Sequence, residues 1–142
     1  ENRVKIHRKQ KNLFGIFGCC LLLLICLTGC SQESESTVHG VVSLLGPDME
    51  YQINVTVTGE NPTAEDAILA ACQQEKMSYT LTDGLFDRFN GQASTATEGW
   101  LFYMDGQLSA VGAKEVVLQD DFHITIQYEN YQKAFAQAGM ES

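Results

Sequence analysis

The sequence predicts an α+β domain, a small sheet with one helix packed across it. Three observations predict it. Tyr51, Ile53, Val55 and Val57 alternate with Gln52, Asn54, Thr56 and Thr58, the period-two pattern of a strand with one buried face. Ala64, Ala67, Ile68, Ala71 and Cys72 recur at three-and-four spacing behind a Thr63-to-Asp66 capping box, which predicts an amphipathic helix over about 64–76. Trp100–Met104 and Phe122–Tyr128 are two more strand-like runs, the first followed by an Asp105-Gly106 turn.

The chain begins with Arg3, Lys5, Arg8, Lys9 and Lys11, then an apolar run from Leu13 to Leu27, then Thr28-Gly29-Cys30. A basic start, a short apolar run and small residues at its end are the parts of a secretory signal. The 15-residue run falls short of the roughly 20 residues that span a bilayer as a helix. Leu27-Thr28-Gly29-Cys30 resembles the bacterial lipobox. That resemblance implies a signal peptide over 1–29, cleavage before Cys30, and a diacylglycerol on its thiol. Acylation of the new N-terminus, with palmitate, is the further step it allows. The alternative is an uncleaved signal anchor with Cys30 unmodified.

Ser31–Thr37 holds no apolar residue, so residues 30–37 read as a lipidated cysteine and flexible tether. The domain is expected over 38–130. Val38–Leu45 is apolar and partly β-branched, a strand, and Gly46-Pro47-Asp48 turns the chain into the alternating strand. Gly59–Pro62 breaks that strand before the helix, where Glu65 and Asp66 suit the positive end of the dipole. Ser78–Thr82 is a short strand, Asp83-Gly84 a turn, Leu85–Phe89 a strand ending at Asn90-Gly91, and Gln92–Glu98 a polar loop. Trp100–Met104 is apolar at every position and suits a strand buried on both faces, whereas Phe122–Tyr128 alternates and suits one wet face. Residues 131–142 form an Ala-rich tail with a weak helical pattern that frays or docks.

Charge and cysteine count narrow the function. The whole chain carries a net charge of −9. Without the leader, Lys76, Arg88, Lys114 and Lys133 stand against 17 carboxylates, a net −13. So acidic a surface repels nucleic acid, which excludes that partner class. Cys72 alone would remain within the fold, so no intrachain disulfide is available and the domain rests on its core. On the helix stripe Cys72 reads as a small apolar residue. His39 and His123 are far apart in sequence, and His123 falls on the wet side of its strand. No nucleophile elbow, zinc spacing, phosphate loop or calcium loop is present, and Asp120-Asp121 reads as an acidic turn. The residues point to no enzyme, and no metal or cofactor is required.

The stretch from Trp100 to Tyr128 carries a family resemblance. A Trp-x-Phe-Tyr strand, a polar-Gly turn, a loop glycine at Gly112, then Leu118-x-Asp120 and a final Ile124-x-x-x-Tyr128 strand is similar to the transcobalamin-like C-terminal domain. The similarity runs from about Glu50 to Tyr128. It implies a β-grasp-like fold, which periodicity alone does not. In the cobalamin carriers, ligand contacts come from the Trp strand and the strand before it. Carried over by position, the candidates are Thr82, Asp83, Gly84, Leu85 and Phe86, with Trp100, Phe102, Tyr103, Asp105 and Gly106. A flat, amide-fringed ligand needs apolar contact beneath it and polar groups at its rim. Against this, Trp100 and Phe102 suit the core, and Tyr103, on the other side of the strand, suits either role. Two departures are visible: Asp121-Phe122 stands where the bacterial family has Gly-Asp, and the chain has no room for the carriers' large helical domain.

The expected protein is a lipid-anchored binding module on the outer face of a bacterial membrane. It would capture cobalamin or another corrinoid, alone or beside a transporter or surface-protein partner. The alternative is a protein-interaction or envelope-structural domain with no small ligand. Each CH₂ of an acyl chain buried in the membrane contributes about 0.8 kcal/mol, so two chains hold firmly. In bacteria producing the chain, mass spectrometry should find a mature N-terminus at Cys30 carrying lipid, and Cys30→Ser should abolish both cleavage and anchoring. An intact leader with a bare thiol would contradict this.

Overall fold

The structure is a computed structural model and describes residues 34–140. The expected signal peptide, the expected lipidation residue Cys30 and residues 31–33 of the expected tether lie outside the described residues. Among the described residues no helix is long and apolar enough to cross a membrane.

Alternation sets the first pairing. Strands β1 (Ser36–Gly46) and β2 (Met49–Gly59) form an antiparallel hairpin closed by Pro47-Asp48, in register along their whole length. Ile53, Val55 and Val57 are buried, and the intervening polar side chains are exposed. β1 starts at Ser36, so the ladder includes two residues read as tether. Helix α1 (Ala64–Gln74) then crosses the sheet and packs chiefly on β2. Its buried residues are Ala64, Ala67, Ile68, Ala71 and Cys72, the stripe expected from spacing. The capping box is present: Asp66 N–H donates to Thr63 Oγ1 at 3.3 Å and Thr63 N–H to Asp66 Oδ2 at 2.8 Å. The helix stops two residues early because Lys76 turns left-handed at φ 52° and Met77 N–H reaches back to the Cys72 carbonyl. Burial pushes the Cys72 thiol up to about 11, which keeps it protonated and apolar in character.

The chain next forms a small separate sheet, β3 (Tyr79–Thr82), β4 (Leu85–Phe89) and β5 (Gln92–Ala93). Part of the expected loop at 92–98 is therefore strand. Gln92 and Ala93 pair with Phe89 and Arg88, and Glu98 already belongs to β6 (Glu98–Met104). After the two-residue Asp105-Gly106 turn comes β7 (Gln107–Leu108), then a 3₁₀ turn at Ala113–Glu115 and β8 (Phe122–Asn130). The main sheet has the order β2-β1-β8-β6-β7, with β8 parallel to β1 and antiparallel to β6. A hairpin, a crossing helix and a last long strand returning beside the first make an α+β arrangement, the class the sequence predicted.

Two expectations are corrected. β6 is not buried on both faces: Trp100 is buried, but Leu101 to Met104 are only partly so. An unbroken apolar run reads as double-sided burial, yet the outer face of this strand is covered only in part. A second helix, α2 (Tyr131–Gln137), follows β8, where one helix was expected. It docks because Asn130 Oδ1 accepts from Lys133 N–H at 3.1 Å, Tyr131 N–H donates to the Thr97 carbonyl at 3.0 Å, and Ala134 is buried.

Phe122, Ile124 and Ile126 of β8 join Val42, Leu44, Ile53 and Ile68 in the core. Gly40, paired with Phe122, permits this: a Cβ there would collide with the Phe122 carbonyl and its ring. On the opposite face of the sheet, Tyr103 Oη donates to a Glu129 carboxylate oxygen. Burial first, and the Glu129 hydrogen bond and charge second, push the Tyr103 phenol from 10.0 up to about 12.

Gly40→Ala should cost about 2–3 kcal/mol, because backbone as well as ring must shift, and lower the melting midpoint by roughly 10 °C or more. Calorimetry checks this, and an unchanged midpoint would contradict the packing. For Tyr103 the raised folded value means the pair's stabilisation is complete below about pH 10 and is lost as pH climbs through about 12. A ¹³C NMR titration of the Tyr103 ring should show the late midpoint, and Glu129→Gln should bring it down while leaving the part due to burial.

Candidate functional site

The site grows from a chain of aromatic contacts. Tyr79 meets Phe86 edge-on at 5.9 Å, Phe86 stacks on Phe89 at 5.4 Å, Phe89 meets Trp100 edge-on at 5.0 Å, and Trp100 meets Tyr128 at 5.3 Å. Edge-to-face pairs align the positive ring edge with a negative face. Trp100 is further held by its Nε1–H, which donates to the Gln92 carbonyl at 2.8 Å. These contacts fix the small sheet against β6 of the main sheet.

Beside that junction lies an open cleft of about 390 Å³. One wall is the β3–β4 hairpin from Gly84 to Phe86, and the floor is Trp100, Leu101, Phe102 and Ile126. The facing wall is the loop from Leu108 to Ala113, and Phe135 and Met140 close one end. Ser109 shapes the loop: its Oγ donates to the Val111 carbonyl at 2.8 Å and accepts from Val111 N–H at 3.3 Å. Among the described residues no charged side chain lines the cleft. Six large apolar side chains among the described residues are exposed, and four of them, Leu85, Val111, Phe135 and Met140, belong to this cleft. Leu85 is 66% exposed. Such clustering differs from the scattered apolar residues of an ordinary surface.

Of the ten candidates from sequence, Gly84, Leu85, Phe86, Trp100 and Phe102 line the cleft together. Thr82, Asp83, Tyr103, Asp105 and Gly106 lie outside its lining. Tyr103 projects to the opposite face of β6 from Trp100 and Phe102 and is engaged with Glu129. Asp105 ties its turn to β8, accepting from His123 N–H at 3.1 Å and donating its own N–H to the His123 carbonyl at 2.8 Å. Trp100 combines both readings, a buried core ring that also contributes to the cleft floor.

Sequence reasoning missed Val111, Ala113, Phe135 and Met140. The loop had no periodicity, and the tail pattern was too weak to place. One signal was available: Phe135 and Met140 are large apolar residues in a short Ala-rich tail with no core of its own.

A second, shallower hollow of about 260 Å³ on the outer face is lined by His39, Asp121 and His123, among others. Parallel pairing of β1 and β8 brings these distant residues together. His39 Nδ1 lies 2.9 Å from Thr56 Oγ1. Among the described residues no group of three His, Cys, Asp or Glu side chains is arranged to hold a metal ion.

Comparison with known proteins supports the fold. Residues 61–130 match the model of a family described as "Domain of unknown function (DUF4430)". No curated protein matches the chain. Among solved structures, the chain is similar to haptocorrin in complex with Cbi, with a TM-score of 0.59 at 14% identity over 68% of this chain and 26% of that one. The chain thus spans about a quarter of haptocorrin's length. A candidate metal binding protein from Ruminococcus gnavus aligns over 66% of this chain and 97% of that one, with a TM-score of 0.48 at 8% identity. The described residues therefore have an α+β, transcobalamin-like fold, and residues 61–130 match the DUF4430 model.

Proposed function

We propose that this chain is a lipid-anchored extracellular module that captures a ligand non-covalently in the cleft between the β3–β4 hairpin and the Leu108–Ala113 loop, with a corrinoid as the ligand. One observation carries the reading: Leu85, Val111, Phe135 and Met140 leave apolar surface in water around a single uncharged cleft. Full burial of such a side chain contributes about 1.5–3 kcal/mol, and these, being 39–66% exposed, forgo a part of it that capture of a partner recovers. The volume lies within the range of small-molecule sites, and the open side leaves room for a ligand larger than the cleft.

Haptocorrin, which shares the fold, is described in complex with Cbi. The corrinoid reading is supported by that likeness and by five of the position-transferred residues meeting in one cleft. The proposed action is non-covalent capture, and Tyr103, held by Glu129, and the buried Cys72 lie outside the cleft lining. The other half of the ligand would face solvent or a partner such as a transporter, with Cys30 keeping the module at the membrane.

Titration of the purified chain with a corrinoid should perturb the corrinoid absorbance and release binding heat. Leu85→Lys places a charge in the apolar wall and should weaken binding about tenfold or more, with the melting midpoint unchanged because Leu85 is exposed. No spectral or calorimetric response at millimolar corrinoid would remove the corrinoid from the proposal.

A further inference from the structure

The cleft floor contains three consecutive strand residues, Trp100, Leu101 and Phe102. Successive side chains of a strand point to opposite faces, so a cavity that touches all three opens on the strand's edge. The hydrogen bonds agree. β6 pairs with β8 on one side. On the other, the β7 ladder runs only to Tyr103 and Leu108, and its last bond is Ser109 N–H to the Phe102 carbonyl at 2.9 Å. That bond shows that Phe102 directs its N–H and C=O away from β8, and by the same alternation so does Trp100. Trp100 N–H donates to Ser94 Oγ at 3.3 Å. Among the described residues no strand of the main sheet pairs with Trp100 or Phe102 on that side, which leaves the Trp100 carbonyl and the Phe102 N–H on an open stretch of edge.

An acceptor on residue 100 and a donor on residue 102 are the two groups that one residue of a parallel strand engages. We propose that the cleft is a strand-addition site. An extended peptide segment lays one residue against Leu101, donating its N–H to the Trp100 carbonyl and accepting from Phe102 N–H, while the apolar side chains of the two residues flanking it, on the face of Trp100 and Phe102, enter the cleft. Strand addition is a recurrent mode of peptide capture, with main-chain bonds giving affinity and a side-chain pocket giving selectivity. Charge narrows the partner. The lining is uncharged, so the docked residues are apolar. Exposed Asp83 and Asp87 flank the Gly84–Phe86 wall in sequence, and residues 34–140 hold 15 carboxylates against four cations, so the flanking residues of the peptide are basic. This inference rests on the cleft being a binding site but does not require a corrinoid.

The test uses the full chain and the peptide acetyl-Lys-Val-Leu-Val-Lys-amide, with a second peptide N-methylated at the central Leu. In the free protein the Phe102 amide should exchange with solvent at least tenfold faster than those of Leu101 and Tyr103, which face β8. Adding the first peptide at millimolar concentration should slow Phe102 exchange about tenfold and shift its NMR resonance. N-methylation should weaken binding about tenfold, because it removes one main-chain bond and leaves an acceptor buried without a donor. A Phe102 amide already protected in the free chain, or equal binding of both peptides, overturns the inference. If neither peptide binds while an apolar dye still enters the cleft and Leu85→Lys blocks it, strand addition fails and the binding-module reading stands. Absence of dye binding as well would sink both.

Discussion

The position of the Trp100 ring governs much of this structure. It is buried at the junction of two sheets, with its edges and faces against Phe89 and Tyr128 and its one polar atom bonded to the Gln92 carbonyl. A buried indole N–H without a partner would cost on the order of 1–3 kcal/mol, so β5 is needed where it lies. The small sheet has few other ties to the main one. Phe89 and Phe86 carry the contact outward, and Phe86 forms part of the cleft wall. The cleft therefore exists because a core residue holds a hairpin at a fixed distance from β6, not because loops happen to part there.

A second constraint shapes the opposite side. β8 must lie parallel to β1 to cover the hydrophobic face shared with α1, and Gly40 is what lets Phe122 approach β1 closely enough. Once β8 is there, β6 pairs beside it and the short β7 ends that edge after two residues. The early end of β7 opens the floor of the cleft. Core and site are thus linked through backbone pairing. The core contains no buried polar or charged side chain among the described residues, while the surface is strongly acidic. Against that background the apolar rim of Leu85, Val111, Phe135 and Met140 stands out.

Local signals were legible wherever one residue's neighbours decide its conformation. The Thr63–Asp66 box, the five-residue stripe of α1, the alternation of β2 and the Asp-Gly and Asn-Gly turns all read correctly, because capping, periodicity and left-handed φ are short-range effects. The site was half legible. Gly84 to Phe86 and the Trp100 strand came from a resemblance in position. The loop after β7 carried no pattern and the C-terminal helix only a weak one, since their apolar residues face a cavity and not a periodic core.

The amino-acid sequence by itself determined the α+β class, the one-sided burial of β2 and α1, the acidity and the absence of a disulfide within the domain. Each of these depends on composition or on spacing within a dozen residues. Tertiary structure alone decided that Trp100 serves the core and the cleft at once, that His39 and His123 share a hollow, and that Glu129 is the partner of Tyr103. It also decided that Phe135 and Met140 reach the same cleft as Leu85. Those outcomes depend on which strand pairs with which and where each ladder ends. Such pairings are settled by the collective packing of distant segments, which local sequence does not encode.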